Sequence, residues 1–155
     1  MKKIETIDEF ASFFSNEKIN WVRKNNDFFL ADESLIETAE KIPKDYLSIG
    51  VFLGNVKNRE FKPSIALVEL LSKISDRKIF ISKKSEWLFV CGRDLFGESI
   101  VKANAREGFV LVQNEADENL GYGLIVDNLA KKNKAVVKNL LDKGHFLRKE
   151  RKGFD

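Results

Sequence analysis

The stretch GFVLVQNEADENLGYGLIV, residues 108–126, decides the architecture of this chain. Two runs rich in β-branched and aromatic residues, Gly108 to Gln113 and Leu120 to Val126, flank a polar cluster, Asn114 to Asn119. That is the pattern of two strands joined by a turn. Reading outward, Lys78 to Ser82, Trp87 to Val90, Ser99 to Ala103 and Ala135 to Lys138 form further short apolar runs. Cys91-Gly92-Arg93-Asp94 and Asn104 to Glu107 separate them as turn clusters. Short strands with turn signals roughly every 8–12 residues predict a small barrel or sandwich. A helical turn is expected from Leu140 to Arg148.

The first half has a different texture. Thr6-Ile7-Asp8-Glu9 is a capping box, in which the Thr6 hydroxyl accepts from the Glu9 amide and the Glu9 carboxylate reaches back. Ile7, Phe10, Phe13 and Phe14 follow at helical spacing and predict one buried face. Ile19 to Arg23 and Phe28 to Leu30 predict a hairpin around Lys24 to Asp27. Ser34 to Ile42 reads as a helix that Pro43 ends. Tyr46 to Val56 alternates as a strand, with Gly50 and Gly54 on one face where a backbone or a bulky neighbour can come close. Asn55 to Lys62 reads as a polar loop, and Ile65 to Leu71 as a helix closing near Ile74. Ser75-Asp76-Arg77 marks the change of texture, which divides the chain into residues 1–76 and 77–155.

Charge is distributed unevenly. Of 27 Lys and Arg, nine lie in residues 131–155 against three acids, a net +6; the other 130 residues carry 18 basic and 21 acidic side chains. A basic edge on a nearly neutral body is a candidate footprint for a polyanion, phosphate backbones first among them. If Leu140 to Glu150 is helical, Lys143, Arg148 and Arg151 or Lys152 point outward, as exposed cations whose removal leaves the fold intact. Lys131, Lys132, Lys134 and Lys138 extend the same face. The competing reading is a solvated, Lys-rich helix.

Catalytic signatures are missing. A single histidine, His145, and a single cysteine, Cys91, cannot build a His/Cys metal cluster. His145 is expected at the surface of the terminal helix and Cys91 as a buried structural thiol. Gly50-x-x-x-Gly54 lacks the Gly-Lys-Ser/Thr ending of a phosphate loop. Gly121-Tyr122-Gly123 lies within a strand and lacks the third glycine of a dinucleotide fingerprint. The acids from Asp94 to Asp127 are scattered over turns without acid/base spacing. No stretch approaches the roughly 20 apolar residues of a membrane span, and Met1-Lys2-Lys3 opens a charged amphipathic segment. The expectation is a soluble, intracellular protein with no catalytic residues, metal or cofactor.

The second half resembles the PUA domain, the pseudo-barrel RNA-binding module of pseudouridine synthases and archaeosine transglycosylases. The whole chain resembles the Nip-seven family of large-subunit ribosome biogenesis factors in its archaeal form. The matching stretches are Leu47 to Gly54, Glu60-Phe61-Lys62, Lys78 to Ser82, Trp87 to Asp94, Leu120-Gly121-Tyr122-Gly123-Leu124, and the Asp-x-Gly-x-aromatic-x-Arg ending from Asp142 to Arg148. Pro63-Ser64 and Arg93 depart from the family pattern.

The resemblance implies an α+β protein. A small N-terminal α/β domain (1–76), an antiparallel sheet with helices, packs on a C-terminal PUA pseudo-β-barrel (77–155). It implies a monomeric, non-catalytic factor of pre-rRNA processing and large-subunit assembly, cytoplasmic in an archaeon and nucleolar or nuclear in a eukaryote. By the resemblance, single-stranded RNA would bind the basic C-terminal surface at Arg148, Lys149 and Lys152, to which the charge pattern adds Lys143 and Arg151, and assembly factors would bind the N-terminal domain. The alternatives are an RNA-modification enzyme or accessory subunit that uses a PUA domain for targeting, and a protein adaptor whose tail is only solvated.

Overall fold

A computed structural model describes residues 3–30, 51–145 and 148. The chain divides into two compact units, Met1–Ile74 and Ser75–Asp155. The expected helix from Ser34 to Ile42 and the first part of the Tyr46 to Val56 strand, with Gly50, lie outside the described residues.

In the first unit, helix α1 (Ile7–Ser12) starts where the capping box places it: the Thr6 hydroxyl accepts from Glu9 N. The Glu9 carboxylate reaches back to Glu5 N at 3.2 Å, one residue earlier than the box predicts. The helix is shorter than the phenylalanine spacing suggests. Phe13 becomes the C-cap and is 42% exposed, while Ile7, Phe10 and Phe14 are buried.

Strands β1 (Trp21–Lys24), β2 (Asp27–Leu30), β3 (Phe52–Lys57) and β4 (Glu60–Pro63) form an antiparallel meander in sequence order. Helix α2 (Ile65–Ile74) buries Leu67, Val68 and Leu71. Phe10, Phe28 and Phe61 form a connected aromatic core, with ring centroids 5.7 Å apart for Phe10–Phe61 and 5.8 Å for Phe28–Phe61. Trp21 packs edge-on to Phe28 and donates from Nε1 to Asp8.

The segment from Asn55 to Lys62 is a hairpin, not a loop. Val56 pairs with Phe61 and Lys57 with Glu60, and the two linking residues, Asn58 and Arg59, both have positive φ. A two-residue hairpin loop with both residues left-handed follows the twist of its strands. The arginine there conceals a turn that Asn-Gly would have announced.

The second unit is a curled mixed sheet of six strands: β5 (Lys78–Ile81), β6 (Leu95–Phe96), β7 (Ile100–Ala103), β8 (Gly108–Gln113), β9 (Asn119–Ile125) and β10 (Ala135–Asp142). Their spatial order is β6-β10-β9-β8-β5-β7, with β5 parallel to β8 and every other pairing antiparallel. The core gathers Ile79, Ile81, Phe89, Leu95, Val110, Val112, Val136 and Val137.

Two expectations change here. Trp87 to Val90 is not a strand but the end of helix α3 (Lys83–Val90). Ser82 caps it by accepting from Ser85 N, and only Ser85 and Phe89, four apart, are buried. The apolar run imitates a strand because its other members lie off the buried face. β10 continues to Asp142, so Leu140 and Leu141 are strand residues, and among the described residues helical backbone resumes at His145 and Arg148. Strand β6, two residues long, carries too little periodicity to be read from sequence. Among the described residues no helix is long and apolar enough to cross a membrane.

Candidate nucleic-acid interface

The C-terminal motif from Asp142 to Arg148 closes on itself and on the end of α3. Asp142, the last residue of β10, is 2% exposed. Its Oδ1 accepts from Gly144 N at 2.8 Å and from Arg148 Nη1 at 3.0 Å, and its Oδ2 accepts from Arg148 Nη2 at 2.8 Å. Arg148 Nη1 also donates to the Val90 carbonyl at 2.6 Å. Hydrogen bonding to Asp142 is the main cause that raises the Arg148 pKa above its ordinary value. Bidentate geometry of this kind needs the fork of a guanidinium, which an ammonium cannot supply.

Gly144 is required at its position because a Cβ there would run into the Val90 carbonyl and the Arg148 guanidinium. Asn139 grips the same turn from the other side. Its side-chain amide donates to Phe89 O at 2.8 Å and its backbone N to Asp94 at 2.9 Å. Together Asn139 and Arg148 fix the exposed turn Cys91 to Asp94 against β10.

The sequence-predicted site residues therefore separate. Arg148 is not the free outward cation that its spacing suggested. Its charge is neutralised by a buried carboxylate, its side chain is 37% exposed, and the fold uses it as a strut. Lys143 is exposed on the turn after β10, with its backbone N bonded to Leu120 O. Lys149, Arg151 and Lys152 lie outside the described residues. His145 is half-buried rather than on the surface, and Cys91 is exposed at the C-cap of α3, not a buried thiol.

Farther along, Lys131 is paired to Asp127 at 2.8 Å, and Lys132, Lys134 and Lys138 are exposed. Gly54 serves internal packing: an added Cβ would meet the Phe61 ring and Lys62 O. Among the described residues no group of His, Cys, Asp and Glu could hold a metal.

Sequence reasoning missed the exposed face of α3. Trp87 is 72% exposed and Leu88 44%, with Lys83 and Lys84 exposed one turn earlier and Arg93 exposed just beyond. Reading this segment as a strand hid that grouping.

Comparison with known proteins agrees with this architecture. Residues 1–65 match the pre-PUA domain of NIP7/UPF0113, and residues 77–151 match the UPF0113 PUA domain. A UPF0113 protein of Aeropyrum pernix is 31% identical over 129 residues, covering 81% of this chain and 71% of the relative. One from Archaeoglobus fulgidus is 32% identical over 110 residues, covering 66% and 62%. Among solved structures, a conserved PUA domain protein from Thermoplasma acidophilum superposes with a TM-score of 0.57 at 14% identity, covering 92% of this chain and 89% of its own. A hypothetical protein from Pyrococcus horikoshii gives 0.50 at 16% identity, covering 82% and 75%. At such identities the structural likeness speaks for the fold.

Proposed function

The chain belongs to the NIP7/UPF0113 family, with a pre-PUA and a PUA domain, and from that premise we propose that it is a non-catalytic RNA-binding factor of ribosome biogenesis. In this reading the basic C-terminal segment of the PUA domain binds single-stranded pre-rRNA, and the N-terminal domain contacts other assembly factors. The protein acts as a cytoplasmic monomer.

The observation that carries the reading is the concentration of nine cations in residues 131–155, on a segment tied to the PUA body by the Asp142–Arg148 pair. A stretch this rich in cations, joined to a folded domain, is a candidate footprint for a phosphate backbone. Lys143, Lys149, Arg151 and Lys152 are assigned to phosphates. Arg148 contributes mainly by holding the segment in place, because its own charge is already matched.

Each phosphate contact on a single strand releases counterions and adds about −0.7 to the log-log salt slope of binding. Replacing Lys143, Lys149, Arg151 and Lys152 by alanine is expected to reduce the slope magnitude by roughly 2–3. The melting temperature should barely move. The measurement is affinity for a single-stranded RNA oligomer across a salt series. Unchanged affinity and slope in the folded variant would remove the tail from the RNA site.

A further inference from the structure

We infer that the exposed face of α3 is a stacking platform for an unpaired nucleobase, with Trp87 as the ring on which the base lies. The inference rests on the RNA-binding reading above and adds to it the chemistry of a second contact.

Trp87 is 72% exposed. An aromatic ring left in water this fully has no role in the core, and here the helix beneath it is held rigidly. Phe89 is fully buried, Ser82 caps the first turn, and the last turn is gripped through Phe89 O by Asn139 and through Val90 O by Arg148. A flat ring on a fixed element presents its face with little further ordering. That is the property which makes aromatic side chains effective under nucleobases.

The surroundings select the partner. Lys83 precedes Trp87 by four residues and Lys84 by three, so both share its side of the helix. Arg93 follows where its backbone N bonds Leu88 O. All three cations are exposed, and none forms an ion pair among the described residues. The acids of the same stretch are engaged with the body of the unit: Glu86 accepts from Asn114, and Asp94 from the Asn139 backbone. A protein helix seeking an apolar groove would meet here a ring and one leucine bordered by like positive charge. A nucleic-acid strand offers what the patch lacks, a π-face for Trp87 and phosphates for the lysines. The platform also ends at the turn that Arg148 holds through the Val90 carbonyl.

The test uses the full chain with a ten-nucleotide adenosine oligomer and an abasic oligomer of equal length. The intrinsic fluorescence of the wild type should be quenched by the adenosine oligomer, whereas Trp87→Phe, which keeps only Trp21, should show no quenching. Trp87→Ala should weaken adenosine binding about 5- to 150-fold, the range of one lost base stack. Trp87→Phe should retain most of the affinity. The salt slope should be the same in all three proteins, and the abasic oligomer should bind wild type and Trp87→Ala alike.

Equal affinity of wild type and Trp87→Ala for the adenosine oligomer would overturn the platform while leaving RNA binding intact. Equal losses for adenosine and abasic oligomers would overturn it by showing that the tryptophan acts through the fold. An adenosine oligomer that fails to bind the wild type at all would overturn both this inference and the RNA-binding reading. Thermal melts of each variant accompany the titrations.

Discussion

A carboxylate as enclosed as that of Asp142, 2% exposed, is tolerated only when its oxygens are bonded, and three donors supply those bonds. Among the described residues, removing Arg148 would leave the charge with Gly144 N alone and would take a donor from the Val90 carbonyl as well. Breaking a buried pair from one side costs about 3–5 kcal/mol, but the Arg148 side chain is 37% exposed and water enters the gap. Arg148→Ala is therefore expected to destabilise the protein by only ~1–3 kcal/mol, read from chemical denaturation. Arg148→Lys should recover part of this, since an ammonium supplies the charge but cannot fork onto both oxygens and reach Val90. Equal stability of wild type and Arg148→Ala would show that the pair holds nothing. The motif was visible in the sequence as Asp142-x-Gly144-x-x-x-Arg148, and its basic character suggested a ligand. What spacing could not convey is that Asp142 ends a strand, faces inward and consumes the arginine.

Elements were legible where one pattern acted alone. The α1 cap, the β1–β2 hairpin, α2 and the β8–β9 pair follow from capping chemistry and alternation. Elements failed to read where two patterns overlapped: in α3, a buried i, i+4 pair lies beneath an apolar quartet, and in the β3–β4 hairpin an arginine occupies a left-handed position. The turn between β8 and β9 shows how such elements are tied down. Asp117 accepts from Gln113 Nε2 at 3.0 Å and from Lys78 Nζ at 3.1 Å, linking the turn to β5. The hydrogen bond from Gln113 first, and Lys78 second, hold its carboxyl below the usual carboxylate range. A carboxyl whose folded pKa lies below its unfolded value, about 3.9, stabilises the fold above that value. The contribution is lost as pH falls from near 4 through the lower, folded value. Asp117→Asn should therefore flatten the acid limb of a stability–pH curve and leave its shape unchanged between pH 6 and 8. The measurement is melting temperature at intervals from pH 2 to pH 8, wild type beside variant; identical acid limbs would assign the acid sensitivity to other carboxylates.

At the scale of the molecule, among the described residues every hydrogen-bonded strand pair falls within one unit: β1 to β4 in Met1–Ile74, and β5 to β10 in Ser75–Asp155. Each unit has its own buried apolar core. Among the described residues neither sheet borrows a strand from the other unit, so we propose that the two are separate folding domains and that the second survives excision. Where to cut follows from Arg77. Its guanidinium donates to the carbonyls of Glu107 and Phe109, across the start of β8, and its backbone N bonds the Ser75 hydroxyl. A fragment beginning at Lys78 would lack these bonds and leave two carbonyls at the head of β8 without that donor. The fragment 75–155 is expected to give a β-rich circular dichroism spectrum and a cooperative melt. The fragment 78–155 should be less stable by ~1–3 kcal/mol, the worth of hydrogen bonds to a charged donor. Both fragments would also carry the basic tail and the α3 face, so RNA affinity measured on 75–155 separates what the PUA domain does alone from what the full chain adds. If 75–155 is unfolded while the intact chain melts in a single transition, the two units form one cooperative body.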